Sequence, residues 1–276
     1  EAGLERLRRE ADDAGRGFGQ SLGFSRSLWL RALRGDTLVF LGRLADAASD
    51  EVAVAAVATA RGDADLLILP RYAAVTVAWA RGDPGGGLGP AREAFEIAER
   101  QGSPYARVLA GSSLGFALLQ VGDAGRAAAV LDDALAIARE QSAGLDLEGR
   151  VLSLLAEARL ATGDGEAARR LADEAAERSR ERRTPVFECF AELARARIAA
   201  REAPERCDAA LSRLEALVER TGARLFAPFG ELARSERARA AGDEPGAEAA
   251  RAQAREHFAK MGADGRVARL DRGDAA

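Results

Sequence analysis

Residues 118–131 read Leu-Leu-Gln-Val-Gly-Asp-Ala-Gly-Arg-Ala-Ala-Ala-Val-Leu (LLQVGDAGRAAAVL): an apolar helical segment, a Gly-Asp pair, then a second helical segment. A glycine at a helix end adopts the left-handed conformation that closes the C-terminus. An aspartate after it accepts a hydrogen bond from an orphan backbone N–H of the next helix. Gly122-Asp123 therefore reads as the hinge of a helical hairpin. The same pair stands at Gly82-Asp83, Gly163-Asp164 and Gly242-Asp243, at intervals of 40, 41 and 79 residues. The last interval is close to two further periods, and Arg201-Glu202 fills the slot between. Helical patterns precede the hinges, as in 106–121 and 149–162, and follow them, as in 124–141 and 165–180.

Aligned on that glycine, small residues recur where two helices of a hairpin must approach closely. They are Leu114-Gly115 with Ala127, Leu131 and Ala134, then Leu155-Ala156 with Ala168, Ala172 and Ala175. Phe190 and Leu193-Ala194 follow, and Ala247 and Ala254 close the series. Composition agrees, because Ala and Leu dominate a 47% hydrophobic fraction while aromatics supply only 5%. That balance favours amphipathic helices over sandwich or barrel strands. An all-α protein is expected.

The Leu-Gly pair in the first helix and the spaced small residues in the second resemble the tetratricopeptide pattern over about residues 65–262. The resemblance implies a right-handed α-solenoid of stacked antiparallel helix pairs, here in repeats of about 40 residues. Its departures are the missing Trp and Tyr of the first helix, an irregular helix-ending Pro and a unit longer than usual. That longer spacing is similar to the C-terminal repeats of bacterial class III adenylate/guanylate cyclases with an NTPase module and of maltose-activator-type regulators. Residues 221–270, from TGARLFAPFG to GRVARL, look like the closing repeat of those proteins. The expected organisation is a TPR-like solenoid over 65–276, ending in a C-terminal capping helix. Residues 1–64 read as degenerate repeats or the edge of a neighbouring domain. There, Arg34-Gly35-Asp36 reads as a hinge between 25–33 and 37–48, with a further helix over 51–60.

Several function classes lose support. The stretch RGDPGGGLGPARE (81–93) has no lysine and follows a helix, so it fits neither a Walker loop nor a dinucleotide loop and reads as a lengthened hinge. Arg-Gly-Asp recurs at Arg34, Arg61, Arg81 and Arg272, which suits helix ends, not cell adhesion. His257 is the single histidine, so no triad or histidine metal cluster can be assembled. Cys189 and Cys207 have no CxxC partner and read as reduced thiols; Arg206 beside Cys207 offers the one redox argument. The net charge of −4, with both signs interleaved, gives no basic stripe for nucleic acid. No apolar run approaches the ~20 residues of a membrane span, and the first residues have no signal-peptide shape. Lys260 is the only lysine and asparagine is absent, as in a GC-rich bacterial genome. With Met261 the only methionine, the sequence reads as a piece of a longer cytoplasmic protein.

Function should then lie on the concave face lined by the first helix of each pair. The candidate binding residues are Tyr72, Thr76 and Trp79; Ser112, Phe116 and Gln120; Ser153 and Glu157; Arg195; and Glu236 and Arg239. Leu160, Glu188, Ile198 and Leu232 fall on the same lines. Tyr72, Trp79 and Phe116 read either as packing or as a pocket. With one lysine and no asparagine, a Lys/Asn clamp for a chain terminus is disfavoured. The expected role is a non-catalytic regulatory and protein-interaction module of a multidomain bacterial signalling protein. The alternative is a small-ligand or peptide sensor controlling an attached cyclase or transcription-regulator module. No catalytic residues, cofactor or metal are expected. The expected partner is a protein or peptide, other domains of the same chain included; nucleic acid and membrane are not expected, and apolar end faces suit a homodimer.

Overall fold

The computed structural model describes residues 26–101, 103–200 and 202–273. The first part of the 1–64 segment, Ser25 included, and Arg201 lie outside them. The described residues form thirteen α-helices and two short 3₁₀ turns, with no strand. The helices are α1 (Arg26–Phe40), α2 (Leu44–Arg61), α3 (Ala64–Arg81), α4 (Leu88–Gln101), α5 (Pro104–Gln120) and α6 (Ala124–Glu140). After a 3₁₀ turn over Leu145–Leu147 come α7 (Glu148–Ala161), α8 (Gly165–Glu181), α9 (Pro185–Ala199) and α10 (Pro204–Thr221). A second 3₁₀ turn, Arg224–Phe226, leads to α11 (Ala227–Ala240), α12 (Glu244–Lys260) and α13 (Asp264–Arg272). Successive helices pair as antiparallel hairpins, each stacked on the next, and the result is a TPR-like α-solenoid.

The hinge chemistry expected at Gly-Asp is present. Gly122 and Gly163 have φ of +82° and +88°. Each following aspartate N–H donates to the carbonyl five residues back, Asp123 to Leu118 at 3.0 Å and Asp164 to Arg159 at 2.9 Å. The aspartate carboxylates then accept from the next helix, Asp123 from Arg126 N and Asp164 from Ala167 N. Turns between hairpins close with positive φ as well, at Gly62, Gly222 and Gly262. Within a hairpin, helices touch where small residues recur: a Cβ on Gly115 would lie 2.4 Å from Leu131 Cγ.

The hinge read at Arg34-Gly35-Asp36 is incorrect. These residues are mid-α1, and the first hinge among the described residues is Leu41-Gly42-Arg43, with Gly42 at φ +76°. Arg31 and Arg34 both bind the buried Asp50 of α2, at 2.8 and 2.6 Å, which ties the continuous helix to its neighbour. Gly35 faces α2 here, opposite Asp50 and Ala47. The segments 37–48 and 51–60 are correspondingly redrawn, since α2 runs unbroken over Leu44–Arg61. Gly42 stands 40 residues before Gly82, the same period as the rest.

The inner helices α1, α3, α5, α9 and α11 each send an aromatic ring to a common interior. Phe40, Trp79, Phe116, Phe190 and Phe229, with Phe226 from the second 3₁₀ turn, lie ring to ring. Offset or edge-on contacts of this kind contribute about 0.5–1.5 kcal/mol each beyond burial. The superhelix curves until α13 comes back against α3. Arg266 of α13 donates Nη2 and Nε to the Trp79 carbonyl at the end of α3, at 2.7 and 3.1 Å, and Arg269 Nη2 donates to the Gly82 carbonyl at 3.1 Å. Met261 lies against Gly42, and Phe40 stacks on Phe226 at 6.1 Å. Two cations at the C-terminal end of α3 also meet the negative pole of its dipole.

Two substitutions test this construction by chemical denaturation. Asp164→Ala removes an N-cap and should cost about 1 kcal/mol. Gly265→Ala places a Cβ 2.5 Å from the Arg81 carbonyl oxygen where α13 meets α3. It should cost about 1–3 kcal/mol through overpacking.

Candidate functional site

α7 carries no aromatic residue. It sends Arg150 into this interior, wholly buried. Its guanidinium lies over the rings of Tyr72, Phe190 and Phe116 at 4.4, 4.8 and 5.2 Å. Arg150 Nη1 donates to the Tyr72 hydroxyl at 2.5 Å and Nη2 to Thr76 Oγ1 at 3.3 Å. Cation–π contact and these two oxygens offset much of the cost of burying the charge. The Asp36 carboxylate of α1 faces Arg150 electrostatically without bonding it: its Oδ1 is out of reach of solvent and has no hydrogen-bond partner. Burial pushes the Asp36 carboxyl up to about 6, against a smaller downward pull from Arg150.

Beside this sealed polar core, toward the C-terminal ends of the inner helices, the concave face opens into a cavity of about 330 Å³. Trp79 and Phe229 form its apolar wall, stacked 3.9 Å apart and within 8° of parallel, with Phe116 and Phe190 beside them. Gln120, Ser153, Glu157, Arg197 and Glu236 supply polar groups from successive inner helices, and α13 contributes Arg266 and Arg269. Arg197 Nη1 binds Glu157 at 2.7 Å. Arg266 is held below its ordinary value, to about 10, first by burial and then by the like charges of Arg269 and Arg197.

The fold brings Trp79, Phe116, Gln120, Ser153, Glu157 and Glu236 together around this cavity, with Leu232. The other expected residues lie elsewhere. Tyr72 and Thr76 are buried as partners of Arg150, and Ser112 is buried within α5. Arg195 turns outward to Asp173 and Glu192, at 2.8 and 3.0 Å. Arg239 is exposed near Glu244. Helix-face reasoning missed Arg197, Arg266 and Arg269. The signal available for the last two was a paired arginine, three residues apart, in the closing helix.

The glycine-rich stretch is a turn between α3 and α4, where Asp83 accepts from Gly86 N at 3.0 Å. Burial pushes the Cys189 and Cys207 thiols up to about 12 and about 11. Arg206 pairs with Asp173 at 2.8 Å, so it does not supply the thiolate-stabilising charge that a redox role at Cys207 would need. Among the described residues no group of His, Cys, Asp and Glu is arranged to hold a metal, and no helix is long and apolar enough to cross a membrane.

No family model matches the chain, and no curated protein matches it. Twenty-four solved chains do match. One is a Rap protein in a crystal structure with Competence and Sporulation Factor, with a TM-score of 0.61 at 15% identity over 89% of this chain and 73% of that chain. At that identity the likeness is one of fold, the TPR-like helical repeat.

The buried Asp36 carboxyl yields a pH dependence. Its folded value of about 6 lies above the ordinary 3.8, so the folded protein holds this proton more tightly. The stability it contributes is complete below about pH 4 and is lost as pH rises through 6. Asp36→Asn should therefore stabilise the protein by about 1–3 kcal/mol at pH 7 and by nothing at pH 3.5, measured by urea denaturation at both values.

Proposed function

We propose that this protein is a non-catalytic recognition module of a multidomain bacterial signalling protein, binding a peptide segment or small ligand in the concave cavity. The observation that carries this reading is the cavity itself. Closure of the superhelix leaves about 330 Å³, in the lower part of the range for small-ligand pockets. An extended segment or a small molecule matches that space; a folded domain does not. This size favours the sensor reading over a scaffold that grips a folded partner on its inner face. The lining also suits binding over turnover. Ser153, its one hydroxyl, donates to the Gly149 carbonyl at 2.7 Å, and neither histidine nor cysteine lines the space.

One comparison and one sequence resemblance give supporting analogy. The Rap protein of similar fold is complexed with a separate factor. The resemblance of residues 221–270 to the end of cyclase-type and maltose-activator-type proteins suits a module that biases an attached cyclase or transcription regulator. Such control needs a ligand whose affinity differs between two states of the whole protein. The Arg266 and Arg269 contacts to α3 form the two-state element in this scheme, because they line the cavity and close the superhelix.

The test is native mass spectrometry after incubation with the peptide and small-molecule fraction of a bacterial extract. A one-to-one adduct is expected with the parent protein and at least tenfold less with Leu232→Trp, which fills the cavity. An adduct undiminished in that variant would place binding elsewhere and sink the proposal.

A further inference from the structure

Arginines are abundant in this chain, and most that face a neighbouring helix are matched by a carboxylate. Arg266 and Arg269 are different. Among the described residues neither has a carboxylate within ion-pairing distance; their hydrogen-bond partners are the Trp79 and Gly82 carbonyls, and the Arg266 guanidinium also lies over the Phe229 and Phe258 rings. Arg266 is only 7% exposed, and among the described residues its Nη1 makes no hydrogen bond. The carboxylates of the lining are mostly committed. Glu157 binds Arg197, and Asp83 caps the turn at Gly86. Glu236 stands exposed at the rim.

We infer that the Arg266–Arg269 pole of the cavity recognises a carboxylate joined to an apolar or aromatic body. This rests on the cavity being the binding site and adds the chemistry of its ligand. A guanidinium presents parallel N–H donors that fit a carboxylate's two oxygens, and such charge-assisted bonds are about twice as strong as neutral ones. Arg269 and Arg197 act on the buried Arg266 as like charges, and among the described residues neither Arg266 nor Arg269 is offset by a carboxylate of its own. The stacked Trp79–Phe229 wall supplies the apolar complement, with the Arg266 guanidinium 5.0 Å from the Phe229 ring centre. A single negative charge suits the site better than a dianion, because Glu157, Asp83 and Glu236 share the lining. A free organic acid and the C-terminal residue of a peptide present the same chemistry.

The experiment is isothermal titration calorimetry at pH 7 with 3-phenylpropionate and its primary amide, and with N-acetyl-Ala-Phe as free acid and as amide. The acid should bind at least tenfold tighter than its amide. Arg269→Gln should erase that preference, and Arg269→Lys should keep part of it; thermal melting confirms that each variant is folded. A preference confined to phenylpropionate identifies a free acid as the source. One shared by the dipeptide identifies a chain terminus. Equal binding of acid and amide overturns the inference while leaving the cavity a binding site. So does an acid preference that survives Arg269→Gln. Failure of all four probes also overturns it, and the extract experiment with Leu232→Trp then decides separately whether the cavity binds anything.

Discussion

A helix can reverse direction in two or three residues only if one of them accepts a left-handed backbone, and here that requirement recurs about every half repeat. Positive φ occurs at Gly42, Gly62, Gly82, Gly122, Gly163, Gly222, Gly242 and Gly262, and at Ser142, Gly144 and Arg183. Where a side chain occupies such a position the cost is about 1–2 kcal/mol, which explains the preference for glycine. Fixed reversal points hold the first helices of the pairs to 14–18 residues and set which end of each faces the interior. The rings Phe40, Trp79, Phe116 and Phe229 come from different distances before their hinges and meet on the inner side of the curve, where Arg150 joins them.

The architecture was legible because this constraint writes itself into the sequence as a local dipeptide. The same locality caused the error at Arg34-Gly35-Asp36. A Gly-Asp pair marks a hinge only if the helix has nothing to gain by continuing. Here continuation lets Arg31 and Arg34 reach Asp50. Gly42-Arg43, without an aspartate, carried no such signal and is nevertheless the hinge. Arg43 N–H makes the closing bond to the Leu38 carbonyl at 2.9 Å.

The candidate site was legible in part, for a related reason. Trp79, Phe116, Gln120, Ser153, Glu157 and Glu236 follow from helical periodicity within single repeats. Arg266 and Arg269 meet Trp79 and Gly82 across 187 residues, a contact set by accumulated superhelical curvature and carried by no local pattern. Tyr72 and Thr76 were assigned to the right face but the wrong depth. Periodicity gives direction around a helix; it does not say that an arginine from α7 will fill the space in front of them.

The clasp between α13 and α3 changes what kind of object this solenoid is. An open array behaves as a one-dimensional chain of repeats whose terminal units have one neighbour and peel away first. Once the last helix is bound to an early one, the array acquires something close to a periodic boundary. Fraying from the C-terminal end then requires breaking a contact that also steadies the beginning, so opening becomes a shared event in place of a local one. The innermost amides and those near the closure should then exchange with solvent as members of one cooperative unit.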